Sequence, residues 1–179
     1  NLSTNIKTIK GFMIDYPNSL NLKLWLTNIK VADDVLENPD SYEQLLSTSD
    51  NLKKLINNKN ELDDATKEAM YITDELKNYL KDNLTTNLAP LIVEQIKFLE
   101  IATKSEVTKN IIAKNLAAKN FISKKIIEPK KLAEEKAAEE KRLAEEKKRQ
   151  EYLKTPEGQK EEKERIKKEK ERLAEEKRL

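Results

Sequence analysis

Apolar residues recur at helical spacing through most of the first 127 residues. At the N-terminus they fall alternately four and three positions apart, which places them on one face of a helix. A second and cleaner stripe of the same kind begins near residue 62. The two stripes are Leu2, Ile6, Ile9, Met13 and Tyr16, followed by Leu62, Ala65, Ala69, Ile72, Leu76 and Leu80. Both predict amphipathic helices with one buried face.

Proline and asparagine separate these helices from one another. Pro17 ends the first predicted helix, and Ser19 is placed to cap a second helix over 19–38. Leucines alternate at the start of this second segment as in a strand, so a short extended start stays open there. Pro39 then precedes a third predicted helix.

Polar residues predict a further turn at 57–60, followed by a new helix. Asp63 and Asp64 would then lie in the first turn of that helix, where its dipole favours negative charge. From about 88 to 127 the pattern predicts one long helix. Its apolar residues lie on most sides, which is typical of a central helix in a bundle.

The predicted fold class is therefore all-α. Two glycines in 179 residues leave few positions where positive φ is accessible without strain. The tight hairpins of a sheet need such positions, and helices need fewer. We predict a head over residues 1–127, an irregular four- to five-helix bundle, followed by a tail over residues 128–179, a long, charged, solvent-exposed C-terminal helical extension.

The tail combines strong helix formers with few large apolar residues. A loose motif of Lys or Arg, Leu, Ala, Glu, Glu and Lys occurs at 131–136, 142–147 and 172–177. A two-stranded coiled coil requires an apolar residue about every 3.5 positions, but the tail has seven large ones in 52 positions. We therefore expect weak or no self-association. The run Thr-Pro-Glu-Gly predicts a break near 154–158.

Charge patterning argues against a nucleic-acid partner. The head has 17 basic and 17 acidic residues, and the tail has 18 basic and 16 acidic residues, so neither part is a polycation. All five Arg residues lie in the tail. The head therefore lacks the side chain that makes most bidentate contacts with phosphates and bases.

The residue types that most catalytic sites require are missing. There is no Cys and no His, which excludes Ser-His and Cys-His nucleophile pairs and the Glu-x-x-His motifs of helical di-metal sites. The aspartate pairs at 33–34 and 63–64, the second with Glu68 nearby, could suggest a carboxylate metal site. A solvated helix start explains the second pair better. We predict a non-enzyme with no catalytic residue, no cofactor and no metal.

Two features are candidate contact sites. Trp25 is the only Trp; core packing is its default role, and a partner-binding anchor is the alternative. Lysines recur every five residues from Lys104 to Lys124, and a membrane-surface helix would gather them on one face. Five residues rotate each Lys by about 140° from the last, so they spread around the helix. Membrane contact is possible but not favoured.

The tail resembles the Ala/Glu/Lys-rich long helices of bacterial envelope proteins such as TolA and the coiled-coil arms of colicins. This resemblance is compositional and covers about residues 130–179. It implies a spacer across a periplasm or away from a surface, which slightly favours an extracytoplasmic location over an otherwise unknown one. The chain begins at Asn1, so a preceding signal peptide or lipid anchor stays open.

These observations predict a non-enzymatic interaction or scaffold protein. Its helical head would dock a protein partner, and its tail would act as a spacer or assembly arm. Two alternatives stay open. One is an exported or surface-attached bacterial lipoprotein or adhesin, and the other is a membrane-active toxin component that uses the helix over 88–127.

Overall fold

The computed structural model describes residues 1–176, so the end of the third tail motif and the last apolar residue of the tail lie outside the described residues. The chain is 88% helical, and its described part contains no β-strand. The predicted all-α class is therefore confirmed. The chain divides into two compact units, 1–122 and 123–179. The domain boundary predicted after residue 127 stays a prediction.

Five α-helices form the first unit, and the third of them is much the longest. They are α1 (Leu2–Asp15), α2 (Leu22–Glu37), α3 (Tyr42–Asp82), α4 (Ala89–Ser105) and α5 (Thr108–Ile122). Helices α1 and α2 pack on each other and on α3, whereas α4 and α5 pack on each other and on α3. Within residues 1–122, neither α1 nor α2 packs along α4 or α5. The unit therefore consists of two three-helix groups that share α3.

The N-terminal group consists of α1, α2 and the first half of α3. Its core contains the first predicted stripe up to Ile9, with Met13 packed at the edge. The ring centroids of Phe12 and Trp25 lie 5.8 Å apart, with 50° between the ring planes, a tilted arrangement that aromatic pairs favour. The buried residues of this core are Leu2, Ile6, Ile9, Trp25, Ile29, Ala32, Val35 and Leu52.

The C-terminal group consists of the second half of α3 with α4 and α5. The second predicted stripe is buried there from Leu62 to Leu76, while Leu80 is half-buried. This part of the prediction is confirmed. The helices α4 and α5 supply the other buried apolar residues, which are Ile92, Ile96, Leu99, Ala102, Ile111, Ala118 and Ile122.

Three predicted helix boundaries in this unit are wrong. Helix α3 runs unbroken through 57–60, so Asp63 and Asp64 lie in mid-helix. The helix propensity of Asn is only mildly unfavourable, and packing on both sides overrides it. The predicted helix over 88–127 is interrupted between α4 and α5. Helix α2 begins at Leu22, and the Ser19 hydroxyl accepts a hydrogen bond from the Asn21 amide at 3.1 Å before the helix starts.

The second unit contains a π-helical turn (Ser123–Ile127), α6 (Glu128–Leu153) and α7 (Pro156–Glu176). Helix α6 has no buried residue, and Gly158 is the only buried residue between 156 and 176. Helix α6 ends at Leu153 and α7 begins at Pro156, so the helix is interrupted in the segment, 154–158, where the sequence predicts a break. The Thr155 hydroxyl accepts a hydrogen bond from the Gly158 amide at 3.1 Å and so caps α7.

The chain turns sharply between α6 and α7, and this turn brings the backbone at Gly158 into contact with that of Tyr152 and Leu153. A Cβ atom on Gly158 would lie 2.1 Å from the carbonyl oxygen of Tyr152 and 2.9 Å from the Cα of Leu153. Only glycine permits this approach. The Tyr152 hydroxyl donates a hydrogen bond to Glu161 at 2.7 Å across the same corner, and this bond to a carboxylate raises the pKa of Tyr152.

Gly158→Ala is expected to open the corner, because the new methyl group would meet backbone atoms that cannot rotate away. The hydrogen bond between Tyr152 and Glu161 should be lost, and the pKa of Tyr152 should return towards its ordinary value. An NMR titration of the Tyr152 ring measures this change. Gly11→Ala is the matched control, since no atom lies within 4 Å of its added Cβ. An unchanged Tyr152 pKa in Gly158→Ala would contradict the tight corner.

Candidate functional site

Trp25, the candidate contact residue, is buried where the two three-helix groups meet. Its side chain is 2% exposed. It lines a cavity of about 90 Å³, the junction cavity, together with Leu24, Lys59, Leu62 and Glu106. Sites for organic ligands are usually about 300–1,000 Å³, so this cavity has room for little more than water. The Trp25 ring lies beneath the surface, and its role as a partner anchor stays a prediction.

Lys59 is a buried cation beside this cavity. Its ammonium group forms an ion pair with Asp63, one turn further along α3. The same nitrogen lies 3.7 Å from the centroid of the Tyr16 ring and 5.7 Å from that of Phe12. A buried charge is tolerated only when such partners replace its water. Asp63 is thus a counter-ion in mid-helix, which replaces the predicted role at a helix start.

The sequence pattern does not single out Lys59, because the polar run at 57–60 predicts a turn there. A signal was nevertheless present. Lys59 falls seven residues after Leu52 and three before Leu62, which is the spacing of one helical face. A cation on an apolar stripe must be neutralised or excluded from the core. The spacing predicts a buried ion pair once α3 is recognised as continuous.

Glu106 connects the two three-helix groups. It ends α4 with φ 51° and ψ 29°, a left-handed conformation that glycine or asparagine usually adopts. Its carboxylate accepts hydrogen bonds from the Ser19 hydroxyl at 3.1 Å and from the Leu20 amide. Left-handed backbone costs other residues about 1–2 kcal/mol, and hydrogen bonds to a charged group contribute about 1.5–3 kcal/mol. The connection between the groups therefore offsets the strain.

Glu106→Ala is expected to destabilise the first unit by about 1–2 kcal/mol, because it removes charged hydrogen bonds from a half-buried site and keeps the strain. Glu106→Gly removes the same bonds but relieves the strain, so it should recover roughly 1 kcal/mol. Urea unfolding monitored by circular dichroism measures both values. Equal stability of the two variants would show that the left-handed backbone is not strained.

A polar network around the buried Asn115 connects α3 to α5. The Asn115 amide nitrogen donates hydrogen bonds to the Ala65 carbonyl at 3.0 Å and to Glu68 at 3.3 Å. Glu68 also pairs with Lys119, and the hydrogen bond from Lys119 is the main cause that lowers the pKa of Glu68. Within the described chain the Asn115 side-chain oxygen has no donor. This network contains a carboxylate, an amide and an ammonium, and the two ionised groups are paired with each other.

A larger, apolar groove lies at the surface between α4 and α5. It has a volume of about 350 Å³, and most of its surface is apolar. Helix α4 contributes Phe98 and Ile101 to it, and α5 contributes Ala113 and Lys114. Ile101 is 66% exposed, and Phe98 is also exposed. The Lys114 ammonium lies 4.5 Å from the centroid of the Phe98 ring. We call this surface the α4–α5 groove.

The carboxylates singled out from the sequence mostly serve as ion-pair partners. Asp33 pairs with Lys10 at 2.9 Å, in addition to the pair between Asp63 and Lys59. Among residues 1–176, no three side chains of His, Cys, Asp or Glu are placed to hold a metal ion. No helix in the described part of the chain combines the length and apolarity needed to cross a membrane.

Known proteins supply no family for this chain. No family model matches it, and no match to a curated protein or a solved structure is found. The functional interpretation therefore depends on the geometry of the first unit and the composition of the second.

Proposed function

We propose that this chain is a non-enzymatic interaction or scaffold protein. Its helical head, an irregular bundle of four to five helices, docks a protein partner, and its charged C-terminal helical extension acts as a spacer or assembly arm. The α4–α5 groove carries this proposal, because it exposes an aromatic and an aliphatic side chain together. Contiguous exposed apolar surface on a soluble protein commonly marks a site of interaction.

The chemistry of the groove favours a protein over a small molecule. Small-molecule sites enclose most of the ligand and direct several polar groups at it. The α4–α5 groove is shallow, and its lining includes only Ser105, Asn110 and Lys114 as polar residues. Aromatic side chains in apolar patches are frequent anchors in protein interfaces. Phe98 is such a residue.

The exposure of α6 and α7 supports a spacer role for the second unit. Their ion pairs lie within single helices, for example Arg142 with Glu139 and Arg165 with Glu162, both at 2.8 Å. Such pairs stabilise an isolated helix by about 0.2–0.5 kcal/mol each. A helix stabilised in this way stays in water without a partner, which a spacer requires.

A peptide of residues 130–179 is expected to remain monomeric and substantially helical at neutral pH and low salt. Its sparse large apolar residues cannot form a continuous seam, and association must first overcome lost translational freedom. Sedimentation measures the mass, and circular dichroism measures the helix content. A tight dimer at micromolar concentration would identify the tail as an oligomerisation element instead.

A photo-crosslinking amino acid placed at Ile101 tests the docking function in cells that naturally produce the protein. We expect one discrete heavier product, because Ile101 lies in the α4–α5 groove and is exposed. The same probe at Tyr71, exposed on α3, is the matched control and should give none. Phe98→Asp should abolish the product from Ile101. If Ile101 yields no discrete product, the proposal fails.

A further inference from the structure

We propose that the α4–α5 groove binds an acidic amphipathic helix of the partner protein. This inference rests on the proposed function and specifies the partner's chemistry. It depends on three observations: the backbone on both sides of the groove is helical, the apolar residues follow one face of α4, and four of the five lysines of α4 and α5, including Lys114 in the groove, have no described carboxylate partner. Each of these narrows the class of ligand.

The helical walls of the groove favour a helix over an extended peptide. An extended peptide binds best at a sheet edge, where unpaired N–H and C=O groups complete a ladder. Within α4 and α5 these groups are already bonded inside each helix. A helical ligand satisfies its own backbone and needs only side-chain contacts. The N-terminal group, where three helices pack together, shows that this chain uses that arrangement elsewhere.

The apolar face of α4 sets the spacing expected in the ligand. Leu91, Phe98 and Ile101 are seven and three residues apart and are all exposed, so they lie on the same side of the helix. They extend over ten residues, or about 15 Å. Ala102 and Ala113 add little bulk between the helices, which allows close approach. A ligand with apolar residues at i, i+3, i+4 and i+7 places them over about 10.5 Å, which fits within this length.

Charge complementarity favours an acidic ligand. Residues 89–122 contain five lysines and three glutamates. Glu100 pairs with Lys77, and Lys119 pairs with Glu68. The Glu106 carboxylate bonds to Ser19 ahead of α2, so Glu94 is the one glutamate of this segment without a partner among the described residues. No described carboxylate lies within ion-pair distance of the remaining lysines, which are Lys97, Lys104, Lys109 and Lys114.

Of these unpaired lysines, Lys114 lies in the groove itself. Its ammonium lies over the face of Phe98, so a carboxylate on a bound helix could reach it while an apolar neighbour contacts the ring. An anionic membrane would attract the same lysines. However, a bilayer presents a broad surface, whereas this apolar site is a groove between two helices. We therefore favour the helix and treat the membrane as an outcome of the test.

Selection from a displayed helix library tests the inference with the full-length chain as bait. Library members carry fixed apolar residues at i, i+3, i+4 and i+7 and random residues beside them. Binders retained by Ile101→Asp are discarded, and circular dichroism confirms that this exposed-site variant folds. We expect Asp and Glu to be enriched beside the apolar positions. Lys114→Glu bait should enrich Lys and Arg at the same positions.

Affinity measurements provide the matched control. For a selected acidic helix, Lys114→Glu should weaken binding by about tenfold or more, since it replaces attraction with repulsion. Lys7→Glu makes the same charge change on the exposed side of α1 and should have little effect. Vesicles of anionic lipid should bind wild type and Ile101→Asp equally weakly.

Failure of this inference is distinguishable from failure of the proposed function. Selected helices without an acidic bias, or no binder that depends on Ile101, would overturn it. So would vesicle binding that Ile101→Asp abolishes. If the crosslink at Ile101 still forms in cells, the docking function stands and only the partner's chemistry is wrong. If that crosslink is also absent, the proposed function fails as well.

Discussion

Leu76→Asp is expected to destabilise the first unit by more than the roughly 2–5 kcal/mol that Leu→Ala costs in a protein core. Leu76 is 0% exposed and lies in the middle of the C-terminal group. The substitution removes its apolar contacts and also places a carboxylate in a fully buried position. Since small domains are stable by only about 5–15 kcal/mol, the C-terminal group could unfold. Urea unfolding monitored by circular dichroism measures the loss.

Met70→Asp on the same helix controls for the change in charge and helix propensity. Met70 is 61% exposed, so its substitution should change stability by no more than about 0.5 kcal/mol. Equal effects of the two substitutions would mean that the stripe containing Leu76 faces solvent. That stripe would then be a partner surface.

Asp63→Asn is expected to destabilise the first unit and Lys59→Met is not, although both break the same ion pair. Asp63→Asn removes the counter-ion of the buried Lys59 ammonium and leaves it a neutral amide oxygen and the Tyr16 and Phe12 rings. Breaking a buried pair in this way costs about 3–5 kcal/mol. Because the Asp63 side chain is 34% exposed, water weakens the pair, and we expect a loss of roughly 2–3 kcal/mol.

Lys59→Met removes the buried charge itself and keeps most of the side-chain volume. The substitution leaves the Asp63 carboxylate without its counter-ion, but this carboxylate is partly exposed and can be hydrated. We therefore expect stability near that of the wild type, or higher. Thermal unfolding of both variants measures the difference. If Lys59→Met is the more destabilised of the two, the ion pair and its cation–π contacts stabilise the fold more than burial of the charge opposes it.

The candidate groove could not be predicted from the sequence. The predicted helix over 88–127 contains both Phe98 and Ile101, and its apolar residues lie on most sides. The groove exists because the chain reverses at Glu106 and brings α5 back along α4. The residues around this reversal, Ser-Glu-Val-Thr, include no glycine, proline or asparagine that would signal it. Its left-handed conformation is held instead by bonds to Ser19 and Leu20, distant in sequence.

At Lys59 the sequence predicts a turn that the structure does not have, whereas at Glu106 it fails to predict a turn that exists. Local composition at 57–60 predicts a turn, but α3 continues because helices pack on both halves of it. Once the helix continues, Lys59 must face the core. Asp63 lies one turn away on the same helix, but only the three-dimensional arrangement supplies the aromatic partners, since Phe12 lies in α1 and Tyr16 directly follows it. The residue types were visible in the sequence, but their proximity was not.

The sequence by itself determined the helical class and the buried faces of individual helices such as the stripe from Leu62 to Leu76. These properties depend on spacing within one helix, where a residue meets its neighbours three and four positions away. The tertiary structure alone decided that α3 is shared by two groups, that the chain reverses at Glu106, and that Trp25 is covered. These features depend on contacts between residues far apart in sequence, which helical spacing cannot encode.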